Sequence, residues 1–224
     1  MADGSLLWRY LLWREKRWPD ADAAAHRRKL LAGLSGTVIE VGCGEGANFG
    51  YYSALVVSVI AVDPDAETRA TAKKAAAAAP VRITVVAGTA EALPAANSSF
   101  DAAVCSWILC TVPEPTAALT EIYRVLRPNG ELRFYEHVAA RGGPLRLLQR
   151  LVDATYWPGM LGGCRTGRDT EAAIRDAGFI VDEIERFNHR SSVLTLPASP
   201  TILGAARVIP KAATVTGAER APAE

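Results

Sequence analysis

Only four cysteines are present in 224 residues, at positions 43, 105, 110 and 164, and no two of them stand in a CxxC pair. The sequence therefore spells out neither a zinc ribbon nor a dithiol redox centre, and reduced thiols are expected. Charge of one sign is also missing. Lys and Arg number 25 against 24 Asp and Glu, for a net charge of +1, so no global field collects nucleic acid, and no nucleic-acid partner is expected. A local basic bias does exist at Arg9, Arg14, Lys16, Arg17, Arg27, Arg28 and Lys29. No apolar run approaches the roughly 20 residues of a membrane helix, and the first residues lack the layout of a secretory signal. A cytoplasmic location is the resulting expectation. The length suits one core and is too short for two full nucleotide-binding domains.

Ser5 to Trp18 carries Trp8, Tyr10, Trp13 and Trp18 among leucines and basic residues. This reads as part of a helical appendage over residues 1–35, with three roles open: a lid, an ordinarily packed helix, or a peripheral membrane contact. From 36 to 210, short β-branched runs alternate with Ala- and Leu-rich stretches, the pattern of β-α units around a mostly parallel sheet. Strands are expected at Thr37–Val41, Val57–Val62, Val81–Ala87, Phe100–Ser106, Glu131–His137, Ile180–Phe187 and Thr201–Val208. Helices are expected near Gly46 and over Asp65–Ala78, Pro115–Leu126 and Asp169–Ala177, the last stopped by Gly178. Beyond Pro210 no periodic apolar residues remain, and a disordered tail over 211–224 is expected.

The strongest local signal is Glu40-Val41-Gly42-Cys43-Gly44-Glu45-Gly46, at the end of the first expected strand. Glycines there allow close backbone approach, and such a corner is expected to offer free N–H groups to a ligand. Asp63 ends the second strand, where an acid can accept hydrogen bonds from ribose hydroxyls. Gly42, Gly44 and Ala47 also satisfy a dinucleotide fingerprint, so the glycines alone do not choose the cofactor. Glu40, just before the loop, disfavours a pyrophosphate and suits either orientation of the loop or a cationic cofactor.

Beyond the glycines, the stretches Val38–Phe49 (VIEVGCGEGANF), Ser98–Val104 (SSFDAAV), Val104–Val112 (VCSWILCTV), Arg124–Gly130 (RVLRPNG) and Phe134–Ala139 (FYEHVA) carry a family resemblance. So do Gly163-Cys164, Arg168-Asp169-Thr170 and Pro200–Ala205 (PTILGA). Over about Ser35 to Pro210 the chain resembles class I S-adenosylmethionine (SAM)-dependent methyltransferases of the type 11 group. It is most similar there to the methyltransferase-like thiol S-methyltransferases of the endoplasmic reticulum and lipid droplets and their bacterial relatives. The resemblance implies a Rossmann-like, doubly wound, mostly parallel seven-stranded sheet with its last strand antiparallel. It implies SAM as cofactor, leaving as S-adenosylhomocysteine, and a small, lipophilic acceptor, with a thiol expected. Quinol and phospholipid-amine methyltransferases share much of the motif set, and a SAM-binding module without activity is the non-enzyme alternative.

Carried across, the resemblance puts the methionine end of SAM at Gly42, Gly44 and Gly46, with Glu40 beside them, the ribose at Asp63 and Pro64, and the adenine beside Gly88, Thr89 and Ala90. Many relatives have Asp in place of Thr89, so backbone N–H groups are the expected adenine contact here. Ser106 and Trp107 would flank the methyl group. Trp157 and Arg165, around a Gly-broken insertion, are expected in the acceptor pocket. Cys43, Cys105 and Cys110 read as small packing residues, with no neighbouring His in sequence to activate them. His137, ending the fifth strand, is the candidate catalytic base, against a plain rim histidine as the bland alternative. In-line methyl transfer needs alignment and exclusion of water, and no metal is expected.

Overall fold

The protein is described from a computed structural model, over residues 21–189 and 193–209. The Trp8–Trp18 segment and the tail over 211–224 lie outside the described residues. Strand β1 (Gly36–Val41) is flanked by β2 (Val56–Asp63) and then β3 (Ile83–Ala87) on one side, and by β4 (Phe100–Ser106) and β5 (Leu126–His137) on the other, all parallel. The chain then makes β6 (Phe179–Asn188) at the far edge and returns through β7 (Pro200–Val208), which pairs antiparallel with both β5 and β6. The order is β3-β2-β1-β4-β5-β7-β6, as the resemblance implied.

Residues alternate across β1 and send the core both ways. Val38 packs with Val59, Ala61, Ala102, Val104 and Tyr135, whereas Ile39 and Val41 pack with Val62, Ala103, Cys105 and Phe134. Helix α1 (Ala21–Leu31) and helix α2 (Ala66–Ala77) serve the first face through Leu30, Leu31 and Ala72. Helix α3 (Pro115–Val125) and helix α6 (Thr170–Asp176) serve the second through Leu119, Ile122, Val125 and Ile174. Asp65 and Asp169 cap α2 and α6 by accepting from the N–H groups of Thr68 and Ala172. Because Leu30, Leu31 and Leu34 are fully buried, the second half of the expected appendage belongs to the core.

Two departures from the sequence reading bear on the site. No α-helix opens near Gly46. Phe49–Tyr51 forms one 3-10 turn instead, because Phe49 and Tyr52 are drawn into the core beneath the loop. Two helices were not expected: α4 (Gly143–Asp153) and α5 (Trp157–Met160), which fill the insertion after β5. Of α2 and the residues just after it, Ala75, Ala76 and Ala79 pack partly against the first core face. Among the described residues no helix is long and apolar enough to cross a membrane.

Candidate active site

The glycine loop is built by three glycines with different tasks. Gly42, Gly44 and Gly46 all have positive φ, at 67°, 53° and 86°, which only glycine adopts freely. A Cβ on Gly42 would stand 2.4 Å from Ile108 Cδ1, and one on Gly46 would stand 2.6 Å from the Phe49 ring. Those two glycines let the loop seat on its neighbours. A Cβ on Gly44 would meet nothing within 4 Å, so there the loop faces open space.

Four of the N–H groups expected to be free at this corner are already paired. Gly42 and Cys43 both donate to the Val62 carbonyl (2.8 and 3.0 Å), Gly46 donates to the Cys43 carbonyl, and Gly44 donates to Asp63 Oδ2 at 3.0 Å. A pyrophosphate would need those amides unpaired. The other Asp63 oxygen accepts from Asp65 N at 2.9 Å, so the carboxylate is fixed at the strand end with one lone pair per oxygen left for a ligand.

Glu40 is buried under the loop. Its oxygens accept from Asn48 Nδ2 (3.0 Å) and Tyr52 Oη (2.7 Å), and Arg27 of α1 donates to Asn48 Oδ1 at 2.7 Å. Of the two uses expected for Glu40, orientation of the loop is therefore the one the geometry favours. Burial pushes its carboxyl up to about 7, against the opposing pull of Tyr52, Asn48 and Arg27. A carboxyl raised in the folded state stabilises fully below its ordinary range near 4.5 and loses that contribution as pH climbs to about 7. The loss is about 3 kcal/mol, from 1.36 kcal/mol per unit. Urea unfolding of Glu40→Gln and wild type, repeated from about pH 5 to about pH 8, is expected to shift in the variant's favour by roughly that amount. A difference that stays constant with pH would show that Glu40 ionises normally.

At the expected adenine side, Pro64 and Thr89 are exposed. Ala90 is 6% exposed and sits in the core cluster, so only its backbone is available to a ligand. Gly88 is crowded by Pro94 and Val62.

The acceptor side turns on Trp107. Directly after Ser106 ends β4, Trp107 takes φ 57°, a conformation that costs a bulky residue about 1–3 kcal/mol. The turn is held because the next three N–H groups, of Ile108, Leu109 and Cys110, all donate to the buried Glu136 carboxylate at 3.0 Å. Burial raises the Glu136 carboxyl despite these bonds. Trp107 stacks on His137, with centroids 5.2 Å apart and planes 16° apart, and leans on Tyr135. The Arg27 guanidinium lies 5.9 Å from its ring centroid, which links α1 to both the loop and the acceptor side.

His137 Nδ1 faces Cys110 Sγ at 3.7 Å and Cys164 Sγ at 3.6 Å. Cys110 was read as packing with no histidine near it, yet 27 residues of sequence separation are closed by the fold. Trp157, expected in the acceptor pocket, is 2% exposed and packs on Cys110, Val152 and Cys164; it backs the site rather than lining it. Arg165 is exposed, and its backbone N donates to the Cys110 carbonyl, so what it fixes is the position of Cys110. Gln149 of α4 went unnoticed in the sequence. Fully buried, it ties Val138, Ala140, Thr166 and Pro197 together.

A loop with four of its amides already paired, open over Gly44 and bordered by a fixed carboxylate, fits an adenosyl sulfonium better than a dinucleotide phosphate. With β7 antiparallel between β5 and β6, the architecture is that of a class I SAM-dependent methyltransferase. Residues 39–134 match the family described as "Methyltransferase domain". Thiol S-methyltransferase TMT1B of Homo sapiens is 34% identical over 183 residues, covering 80% of this chain and 74% of that enzyme. The chain thus belongs to the SAM-dependent methyltransferase family. A shorter similarity, 35% over 109 residues, reaches the demethylmenaquinone methyltransferase of Renibacterium salmoninarum, covering 49% of this chain and 44% of that enzyme. The fold is shared with a geranyl diphosphate methyltransferase solved in complex with SAM, at a TM-score of 0.66 and 14% identity over 84% of this chain and 85% of that one.

Proposed function

We propose that this methyltransferase acts on a small lipophilic thiol. The observation that carries the reading is the identity with the human thiol S-methyltransferase, spread over 74% of that enzyme's length rather than confined to the cofactor loop. SAM, when bound, supplies an electrophilic sulfonium methyl. The chain's part is to hold the cofactor and admit an acceptor in line with that methyl, with water kept out.

Asp63 accepts from the ribose hydroxyls, Pro64 and the backbone around Thr89 and Ala90 border the adenine, and Gly42, Gly44 and Gly46 flank the methionine end. Ser106 and Trp107 stand at the methyl group. The indole face of Trp107 and the apolar side chains around it favour a nonpolar acceptor over a charged one. His137 stands beside the acceptor sulfur; its Nδ1 is turned to two protein thiols, which argues against Nδ1 as the free base. Leu147, Leu151 and Tyr156, all more than half exposed on and just after α4, give the described chain an apolar face of the kind peripheral membrane contact uses. Such contact, from the cytoplasmic side, suits an acceptor that partitions into lipid.

The test is transfer of labelled methyl from SAM to a panel of alkyl and aryl thiols, demethylmenaquinol and phosphatidylethanolamine. Methylated thiols are expected at rates at least about tenfold above the other classes, the gap that 1.4 kcal/mol of preferential transition-state binding produces. Preference for the quinol would return the acceptor to the class of the Renibacterium enzyme, and no product from any of them would leave a SAM-binding module.

A further inference from the structure

Three side chains from three separate elements converge beside Trp107: Cys110 from the turn after β4, His137 from the end of β5 and Cys164 from the insertion before α6. Among the described residues they form the one group of His, Cys, Asp or Glu whose ligand atoms lie close enough together to hold a metal ion. The two sulfurs are 4.0 Å apart, and each is 3.6–3.7 Å from His137 Nδ1. A tetrahedral zinc ion, with Zn–S near 2.3 Å and Zn–N near 2.0–2.1 Å, spaces two sulfurs by about 3.8 Å and sulfur from nitrogen by about 3.5 Å. The triangle matches to within about 0.2 Å. A disulfide would need the sulfurs at about 2.05 Å.

We infer that Cys110, His137 and Cys164 are the ligands of a zinc-type divalent ion whose fourth position takes the sulfur of the methyl acceptor. The acceptor half of this rests on the thiol reading above; the metal half does not. Two thiolates and one imidazole select a soft-to-borderline ion, and three protein ligands with one place open are the arrangement of catalytic rather than structural zinc. The place is well chosen. Ile108, two residues before Cys110, lies against Gly42 of the cofactor loop, and His137 lies under the Trp107 indole. Two thiolates and a divalent ion sum to zero charge, and the Arg168 guanidinium donates to the carbonyl of Leu109, the residue before Cys110, at 2.7 Å.

The chemistry balances without an oxidant. A free thiol is mostly protonated at neutral pH, but on a metal it ionises, its proton passing to solvent. The metal-held sulfur then uses a lone pair to bond the methyl carbon. The carbon–sulfonium bond breaks, its electron pair staying on the departing sulfur. The product is a neutral thioether, a weaker ligand than a thiolate, and water displaces it.

The experiment uses the full chain. Zinc is measured by mass spectrometry after purification without chelator, and Co²⁺ is titrated into metal-free protein while visible absorbance is followed. Expected are about one metal per chain and the intense bands of four-coordinate cobalt with thiolate ligands. Cys164→Ser and His137→Ala should weaken metal binding by about 100-fold or more, with circular dichroism showing whether they fold. Cys105→Ser, outside the triangle, should bind as wild type. Hexanethiol, added without SAM, should shift the cobalt bands. Wild-type protein that binds neither metal overturns the site. Bound cobalt whose bands ignore hexanethiol overturns the acceptor role. Shifted bands without methyl transfer to thiols leave the metal site standing and overturn the proposed function, and the acceptor role with it.

Discussion

Asp63→Ala weakens SAM binding by about 10²- to 10⁴-fold in titration calorimetry. A bond to an ionised acceptor is worth about 1.5–3 kcal/mol, and a ribose offers two hydroxyls to the one carboxylate that ends β2. The substitution also strands Gly44 N and Asp65 N, which donate to Asp63 at 3.0 and 2.9 Å, so loop order and cofactor contact are lost together. Asp63→Asn separates them. One amide oxygen still accepts, the other position now donates, and an intermediate loss is expected. Thermal unfolding without SAM serves as the control for folding. A loss under about tenfold in Asp63→Ala would mean that the ribose is held elsewhere.

Gln149→Leu lowers the melting temperature by about 10 °C or more. Gln149 is fully buried, accepting from Ala140 N at 2.8 Å and donating to the carbonyls of Val138, Thr166 and Pro197 at 2.9–3.1 Å. Leucine fills the volume but leaves three buried carbonyls and the half-buried Ala140 N–H without this partner, each costing about 1–3 kcal/mol. Even at the low end the sum is near 4 kcal/mol, a large share of the roughly 5–15 kcal/mol that holds a domain, and about 2–4 °C of melting temperature follows each kcal/mol in a chain of this size. Differential scanning calorimetry reads it directly. A shift of a degree or two would show that the segments after β5, before α6 and before β7 are held by something other than this one amide.

The glycine loop and Asp63 were legible because their chemistry is local: a strand, a turn and an acid about 20 residues on. The strands were legible because both faces of the sheet are covered, so each reads as a β-branched run, and their bounds needed changes of a few residues at most ends. The helix expected near Gly46 failed where periodicity was weakest, in an aromatic stretch that the core claims. Helix α4 hid behind Gly142-Gly143-Pro144, which reads as a loop although proline is at home in a first helical turn. Nothing local announced the supports of the site. Arg27, Asn48 and Tyr52 act through Glu40, and Gln149 acts through backbone carbonyls. Cys110 and Cys164 are 54 residues apart and meet only in the fold, where Arg165 N donates to the Cys110 carbonyl and His137 lies against both sulfurs.

The position of β7 also governs how the chain reaches its fold. Every other neighbour pair in the sheet is already present by residue 188, but β5 and β6 share no edge until residues 200–208 pass between them. On the ribosome, where the N-terminal part emerges first, β5 waits with one edge unpaired through the synthesis of α4, α5, α6 and β6. Its inward side chains include Phe134 and Tyr135, both fully buried at the end. The last of the described strands is therefore the one that closes the sheet. A nascent chain stalled before Pro200 would leave β5 and β6 both without their shared partner, making the stretch of translation up to β7 the interval in which this sheet is most open to mispairing.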